Sequence, residues 1–372
     1  MKPYYVDKIA ERGAVYYFIR HSEDCQIVVP PTKYLNHKMR VRRSPNTRRR
    51  MAFSLSYYLN FCKEKGVDTE AVLNLKYDKQ YEHFADFLQW IKAGKHLSKE
   101  FQNGPSNNTC NTYLKDVFGY YEFLGVYGEQ FGELKIFKEK TITFVNRAGV
   151  KGTKKSKVFD GFLKGERHHG KSIEQDQLLI LLQSCTNYRD LVLLLLLAET
   201  GFRIGELLGV NYTKDIDYDK RLIRVYFRED NENGARAKNA EYRSALLSTD
   251  TFEIVQYYLS EYRELLKDTD YLFVNIAGDT AGEALNVNAV YAMLERLEKK
   301  TGIEATPHML RHYFANQRRK SGWDVPLISK ALGHRNLETT INYLNIETNE
   351  LVEASEEYYK KNRHLYMVDE LL

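Results

Sequence analysis

Thr306-Pro307-His308-Met309-Leu310-Arg311 opens with a residue suited to cap a helix and a proline suited to its first position. His308 and Arg311 then share one face of the first turn, the end of a helix that favours an anion. Arg311 can fork two hydrogen bonds onto a phosphate, and His308 adds a donor or a proton-transfer group. His308 and His312 also have the i, i+4 spacing of a helical zinc pair. The general-base glutamate of that motif would have to stand at position 309, which is Met309, so a zinc site is not expected and His312 reads as a structural histidine. Arg203 lies at the end of an apolar helical run, just after Gly201. A half-buried guanidinium there needs an anionic partner, either Glu206 or a phosphate, because an unpaired charge costs several kcal/mol.

These residues do not stand alone. In order along the chain come Glu199-Thr200-Gly201-Phe202-Arg203-Ile204-Gly205-Glu206-Leu207-Leu208, then His308-Met309-Leu310-Arg311, then Leu332-Gly333-His334, and, nine residues after His334, Tyr343. The set resembles the tyrosine recombinase (phage integrase) family, at the level of motifs from Ser172 to the end and weakly from Ser44 to Val145. The resemblance implies a mainly α fold with a small β component: a helical, SAM-like core-binding domain and a mixed α/β catalytic domain. It implies a site-specific DNA recombinase, an integrase or transposase of a mobile element, that cleaves and rejoins DNA through a 3′-phosphotyrosyl intermediate.

The residue roles are carried over by the same resemblance. Tyr343 would be the nucleophile, Arg203 and Arg311 would hold the non-bridging oxygens, His308 would assist proton transfer, and His334 would hydrogen-bond the phosphate. Lys238, just before Asn239-Ala240-Glu241-Tyr242-Arg243, would protonate the leaving oxygen, with Arg243 resembling the basic residue that opens the following strand. The family's usual proline in that strand is replaced by Ala245-Leu246-Leu247, which leaves the register of the Lys238 hairpin open. No cofactor and no metal are implied. The implied partners are double-stranded DNA, further protomers in a homotetramer on two duplexes, and accessory directionality factors. Two alternatives are a type IB topoisomerase-like relaxation of DNA and a DNA-binding protein without catalysis. The latter would be expected to have lost Tyr343 or an arginine, and neither is lost.

Composition accommodates this reading. With 372 residues, 43% of them hydrophobic, the chain can form two or three domains. Its formal net charge is only +5, but basic residues cluster. One cluster contains Arg48, Arg49 and Arg50; a second contains Lys151, Lys154, Lys155 and Lys157, and both are candidates for phosphate contact. The four cysteines have no paired spacing, which argues against a disulfide framework or thiolate metal site and for a reducing compartment. The first residues carry charges where a signal peptide needs an apolar stretch, and the apolar run Leu191 to Ala198 is too short to span a bilayer. A cytoplasmic, nucleoid-associated protein with no membrane partner is expected.

Four regions are expected to position the motifs. Residues 1–45 read as a small β-rich appendage, with strands at Ala14 to Ile19 and Gln26 to Val29 closed by Pro30-Pro31. Residues 46–145 show helical spacing from Phe53 to Phe61, ended by Gly66, and again at Tyr81 to Lys92 and Asn108 to Leu124. Residues 146–171, rich in lysine and glycine, read as a flexible basic linker. Residues 172–372 open with a capping box at Ser172-Ile173-Glu174-Gln175, followed by strands at Leu222 to Phe227 and Tyr242 to Leu247 around the turn Asn231-Glu232-Asn233-Gly234, and then by helices.

Overall fold

The computed structural model describes residues 2–11, 14–97, 104–127, 132–145, 151–166, 170–226, 228, 231–235, 242–334, 337–341 and 344. They divide into two compact units, Met1–Arg167 and His168–Leu372. The architecture is mainly α, with small antiparallel sheets.

Unit 1 begins with a hairpin of β1 (Tyr4–Glu11) and β2 (Ala14–His21), followed by α1 (Val29–Arg40) and α2 (Pro45–Lys65). Ser44 caps α2 through the Thr47 N–H, and Gly66, at φ +65°, ends it in the left-handed conformation that glycine adopts without a Cβ penalty. Next come α3 (Ala71–Asn74), α4 (Tyr77–Lys92) and α5 (Asn107–Tyr127). Their apolar faces enclose an aromatic core that includes Tyr58, Phe61, Phe84, Phe87, Trp90 and Tyr121. Tyr17 and Ile19 of β2 lie in the same core, so the first residues are part of the unit and not an appendage.

Two local expectations for unit 1 change. Pro30 and Pro31 start a helix instead of closing a strand, because proline fits the first helical turn, where the amide hydrogens have no partner. The expected flexible linker contains a strand: β3 (Lys138–Val145) pairs with β4 (Lys151–Val158) over their whole length. Lysine and glycine weaken local strand propensity, but cross-strand pairing and the ring of Phe144 against Gly152 override it.

Unit 2 opens with α6 (Gln175–Ser184), α7 (Tyr188–Thr200) and the single turn α8 (Ile204–Leu207). The capping box of α6 is formed by Glu174 and Gln177, two residues later than expected from Ser172, with Gln177 Oε1 accepting from the Glu174 N–H at 3.0 Å. A three-stranded sheet follows, ordered β5 (Ile216–Asp217), β6 (Leu222–Val225) and β7 (Arg243–Leu246). The remaining helices are α9 (Thr249–Glu261), α10 (Arg263–Leu266), α11 (Val287–Thr301), α12 (Pro307–Lys320), α13 (Val325–Leu332) and α14 (Leu337–Ile341). The all-apolar stretch of α7 is central: Val192, Leu193, Leu194, Leu196 and Leu197 are fully buried in one core with Leu310 of α12 and Val255 of α9. Burial of each such side chain contributes roughly 1.5–3 kcal/mol. No helix among the described residues is long and apolar enough to cross a membrane.

Candidate active site

The candidate site lies within unit 2 and is built from the turns that end and start its helices. Thr306 caps α12, its hydroxyl accepting from the Met309 N–H at 3.2 Å, with Pro307 in the first turn. This cap places His308 at the exposed start of the helix and Arg311 one turn in, where only 2% of its surface is accessible. The Arg311 guanidinium donates to the Gly201 and Leu332 carbonyls, and its Nη2 lies 3.0 Å from His334 Nε2. One side chain thereby ties the end of α7, the end of α13 and the start of α12 together.

The two carbonyls depend on the glycines that end those helices. Gly201 (φ +63°) and Gly333 (φ +62°) both adopt the left-handed conformation. A Cβ on Gly333 would also fall 2.7–2.8 Å from the Arg243 guanidinium. Gly333→Ala is expected to destabilise unit 2 by about 1–3 kcal/mol from backbone strain and this clash. A thermal melt should register it as a shift of roughly 2–4 °C per kcal/mol for a unit of this size; an unchanged melting temperature would show that the turn tolerates a side chain.

Arg203 is the N-cap residue of α8 and pairs with Glu206, Nη1 to Oε1 at 2.9 Å, while its backbone N–H donates to Glu206 Oε2 at 2.8 Å. The intramolecular partner considered for Arg203 is therefore present, although Arg203 keeps 23% side-chain exposure against 4% for Glu206. Glu206 also receives Nη2 of Arg243, whose Nη1 donates to the Ala331 carbonyl at 2.9 Å and whose guanidinium lies over the Phe202 ring. Glu206 thus holds two arginines beside the Gly333 turn.

His334 follows that turn. Because Arg311 has no acceptor, the 3.0 Å contact assigns His334 Nε2 as acceptor and places the imidazole proton on Nδ1, which donates to Thr340 Oγ1 at 2.9 Å. Burial, and then the positive charges of Arg311, Arg203, Arg243 and His308, push His334 down from 6.5 to about 3. His83 and His96 of unit 1 are pushed down to about 4, chiefly by burial. Each binds protons more weakly folded than unfolded, so its contribution to stability is whole above about pH 6.5 and is lost as the pH falls through the folded values. Stability measured by denaturant titration is expected to decline steadily from pH 6.5 towards pH 3. A flat profile across that window would contradict the neutral assignment.

The structure brings Arg203, Arg311 and His334 together, with His308 close enough to act on His334 electrostatically. Tyr343 and Lys238 lie outside the described residues. His312 is buried edge-on to His308, ring centroids 4.7 Å apart, as a structural histidine would be. Sequence reasoning named Glu206 as a possible partner of Arg203, for which their i, i+3 spacing was the local signal, and Arg243 only as the residue opening the strand after Lys238; it did not foresee the Arg243–Glu206 pair or the contact of Thr340 with His334.

The basic candidates separate by environment. Arg48 is buried, its Nε and Nη1 donating to the Arg43 and Val15 carbonyls, so it ties α2 to β2 and is not an exposed phosphate ligand. Arg50 makes a two-pronged pair with the buried Asp116, at 2.9 and 3.0 Å, which commits its charge inside unit 1. Arg49 is exposed, over the Phe53 ring. Lys151 and Lys155 are exposed on β4, whereas the side chains of Lys154 and Lys157 lie outside the described residues.

The chain resembles several known proteins over the region that carries these residues. The phage integrase family model matches residues 171–350. Transposase A from transposon Tn554 of Staphylococcus aureus is 27% identical over 352 residues, covering 92% of this chain and 94% of the transposase. Tyrosine recombinase XerA of Saccharolobus solfataricus is 32% identical over 188 residues, 50% of this chain and 56% of that protein. Among solved structures, the Tn1549 transposon integrase in complex with transposon right end DNA shares the fold with a TM-score of 0.59 at 17% identity, over 89% of this chain and 98% of that chain.

Proposed function

We propose that this chain is a member of the tyrosine recombinase (phage integrase) family and a site-specific recombinase of a mobile element that cuts and rejoins double-stranded DNA through a 3′-phosphotyrosyl intermediate. The observation that carries the reading is the convergence of Arg203, Arg311 and His334 on the Gly333 turn.

In the proposed reaction a phosphodiester enters beside Arg203 and Arg311, whose charges offset the negative charge that builds on its non-bridging oxygens. Arg311 turns Nη2 to the phosphate, and the added negative charge raises the proton affinity of His334. His334 then takes a proton from solvent on Nε2 and donates it in a hydrogen bond to the phosphate, while Thr340, bonded to Nδ1, keeps the ring oriented. The Tyr343 phenol passes its proton to His308 as its oxygen bonds phosphorus, and the bond from phosphorus to the 5′ oxygen breaks as that oxygen takes a proton from Lys238. The new ester conserves the bond, so rejoining is the same sequence reversed. Glu206 and Arg243 act through Arg203 and the turn and position the site without touching substrate.

Unit 1, with the exposed Arg49 and the lysines of β4, would grip the duplex, and four protomers would bring two duplexes together. Accessory proteins would set the direction of exchange. Action on DNA would put the protein in the cytoplasm with the nucleoid.

A nicked suicide substrate, which traps the covalent complex, tests the proposal. With no metal assigned to the step, trapping is expected to proceed unchanged in excess EDTA. Loss of trapping that Mg²⁺ or Zn²⁺ restores would overturn the mechanism. Supercoil relaxation by a monomer, without strand exchange between duplexes, would favour a topoisomerase instead.

A further inference from the structure

We propose that the β3–β4 ribbon is a groove-reading arm: it seats in the major groove of the duplex with Thr141, Thr143 and Thr153 towards the base edges and Lys151 and Lys155 towards the backbone. The inference rests on the DNA-recombinase reading and names a recognition element within it.

The charge distribution singles the ribbon out. Its sixteen strand residues include six lysines and one glutamate, an excess that equals the formal +5 of the entire chain, so the rest of the protein is balanced. A positive field concentrated on one exposed element is the electrostatic footprint of a polyanion contact. Every residue of β3 is exposed, including Ile142, Phe144 and Val145. A two-stranded ribbon without a core behind it is marginal in water, and a docked partner would supply the missing burial.

Shape and chemistry select the duplex groove. The major groove, about 12 Å wide, admits a two-stranded ribbon. Eight residues per strand span about 26 Å, or roughly seven to eight base pairs at about 3.4 Å each. The register pairs Thr141 with Lys155, Thr143 with Thr153 and Val145 with Lys151, which places these residues on one face. Threonine hydroxyls donate or accept at base edges and threonine methyls fit the thymine methyl, so the face carries both kinds of readout. The opposite face is less suited, because Ile142 and Phe144 stand there and the Phe144 ring covers Gly152, where a Cβ would lie 2.8 Å from Cζ.

The test uses the full chain and two double variants, with folding checked by circular dichroism. Fluorescence anisotropy against salt is expected to show Lys151→Ala/Lys155→Ala lowering the slope of log affinity on log salt by about two, since each lost phosphate contact removes about 0.9. Thr143→Val/Thr153→Val should leave that slope unchanged. In selection from randomised DNA followed by sequencing, it should relax the preference at a few adjacent base pairs by about tenfold each. An unaltered slope in the lysine variant, or an unaltered base preference in the threonine variant, overturns groove reading. Binding of acidic protein in place of DNA does the same. Failure of the wild-type chain to trap a suicide substrate would instead sink the recombinase reading, whatever the ribbon variants do.

Discussion

Tyr343→Phe is expected to bind DNA with the affinity of the wild type and to form no covalent complex. The substitution removes only the oxygen proposed to attack phosphorus, so the proposed arginine and lysine contacts to the DNA would remain. Loss of a covalent nucleophile of this kind lowers the rate by at least about 10⁴-fold. Denaturing electrophoresis after incubation with a nicked suicide substrate reads the outcome directly. A shifted protein–DNA band that persists in the variant would remove Tyr343 from the mechanism and point to another of the chain's 28 tyrosines.

Arg311→Lys is expected to cause the second largest loss. The lysine keeps a positive charge but not the planar fork that reaches Gly201, Leu332 and His334 together. Cleavage should fall by about 10²–10³-fold, the scale for removing one preorganised donor from developing negative charge. Stability should fall as well, because each buried carbonyl left without a donor costs about 1–3 kcal/mol. Single-turnover cleavage at saturating protein separates the two effects, since it measures folded, bound enzyme. Near-wild-type single-turnover cleavage with a lowered melting temperature would make Arg311 a structural tie and nothing more.

Local signals made part of this site legible in advance. A cap and a first-turn proline act within a few residues, so Thr306-Pro307 located the start of α12, and the phase of His308 and Arg311 followed from it. Gly66 ended α2 for a reason equally contained in a few residues: only the left-handed conformation closes that turn. The capping box of α6 was displaced by two residues because Ser172 and Glu174 both suit a cap, and packing of Ile173 into the core selected the later one.

By itself, the sequence determined the order and types of the proposed reacting groups and the start of the helix that carries His308 and Arg311, because motif spacing, caps and helical periodicity are short-range properties. Only the tertiary structure decided which charges are available. Arg48 and Arg50 read as twins of Arg49, yet carbonyls and Asp116 brought in from distant segments occupy them. The same holds for Arg243, which meets Glu206 from 37 residues away and Ala331 from 88, and for Arg311, which meets Gly201 from 110. β4 was read as linker and β3 as the end of the helical region, because the two strands find each other through register, a relation between two segments that neither reveals alone. The neutral state of His334 follows from burial among cations gathered from three other segments, an environment that exists only once the chain has folded.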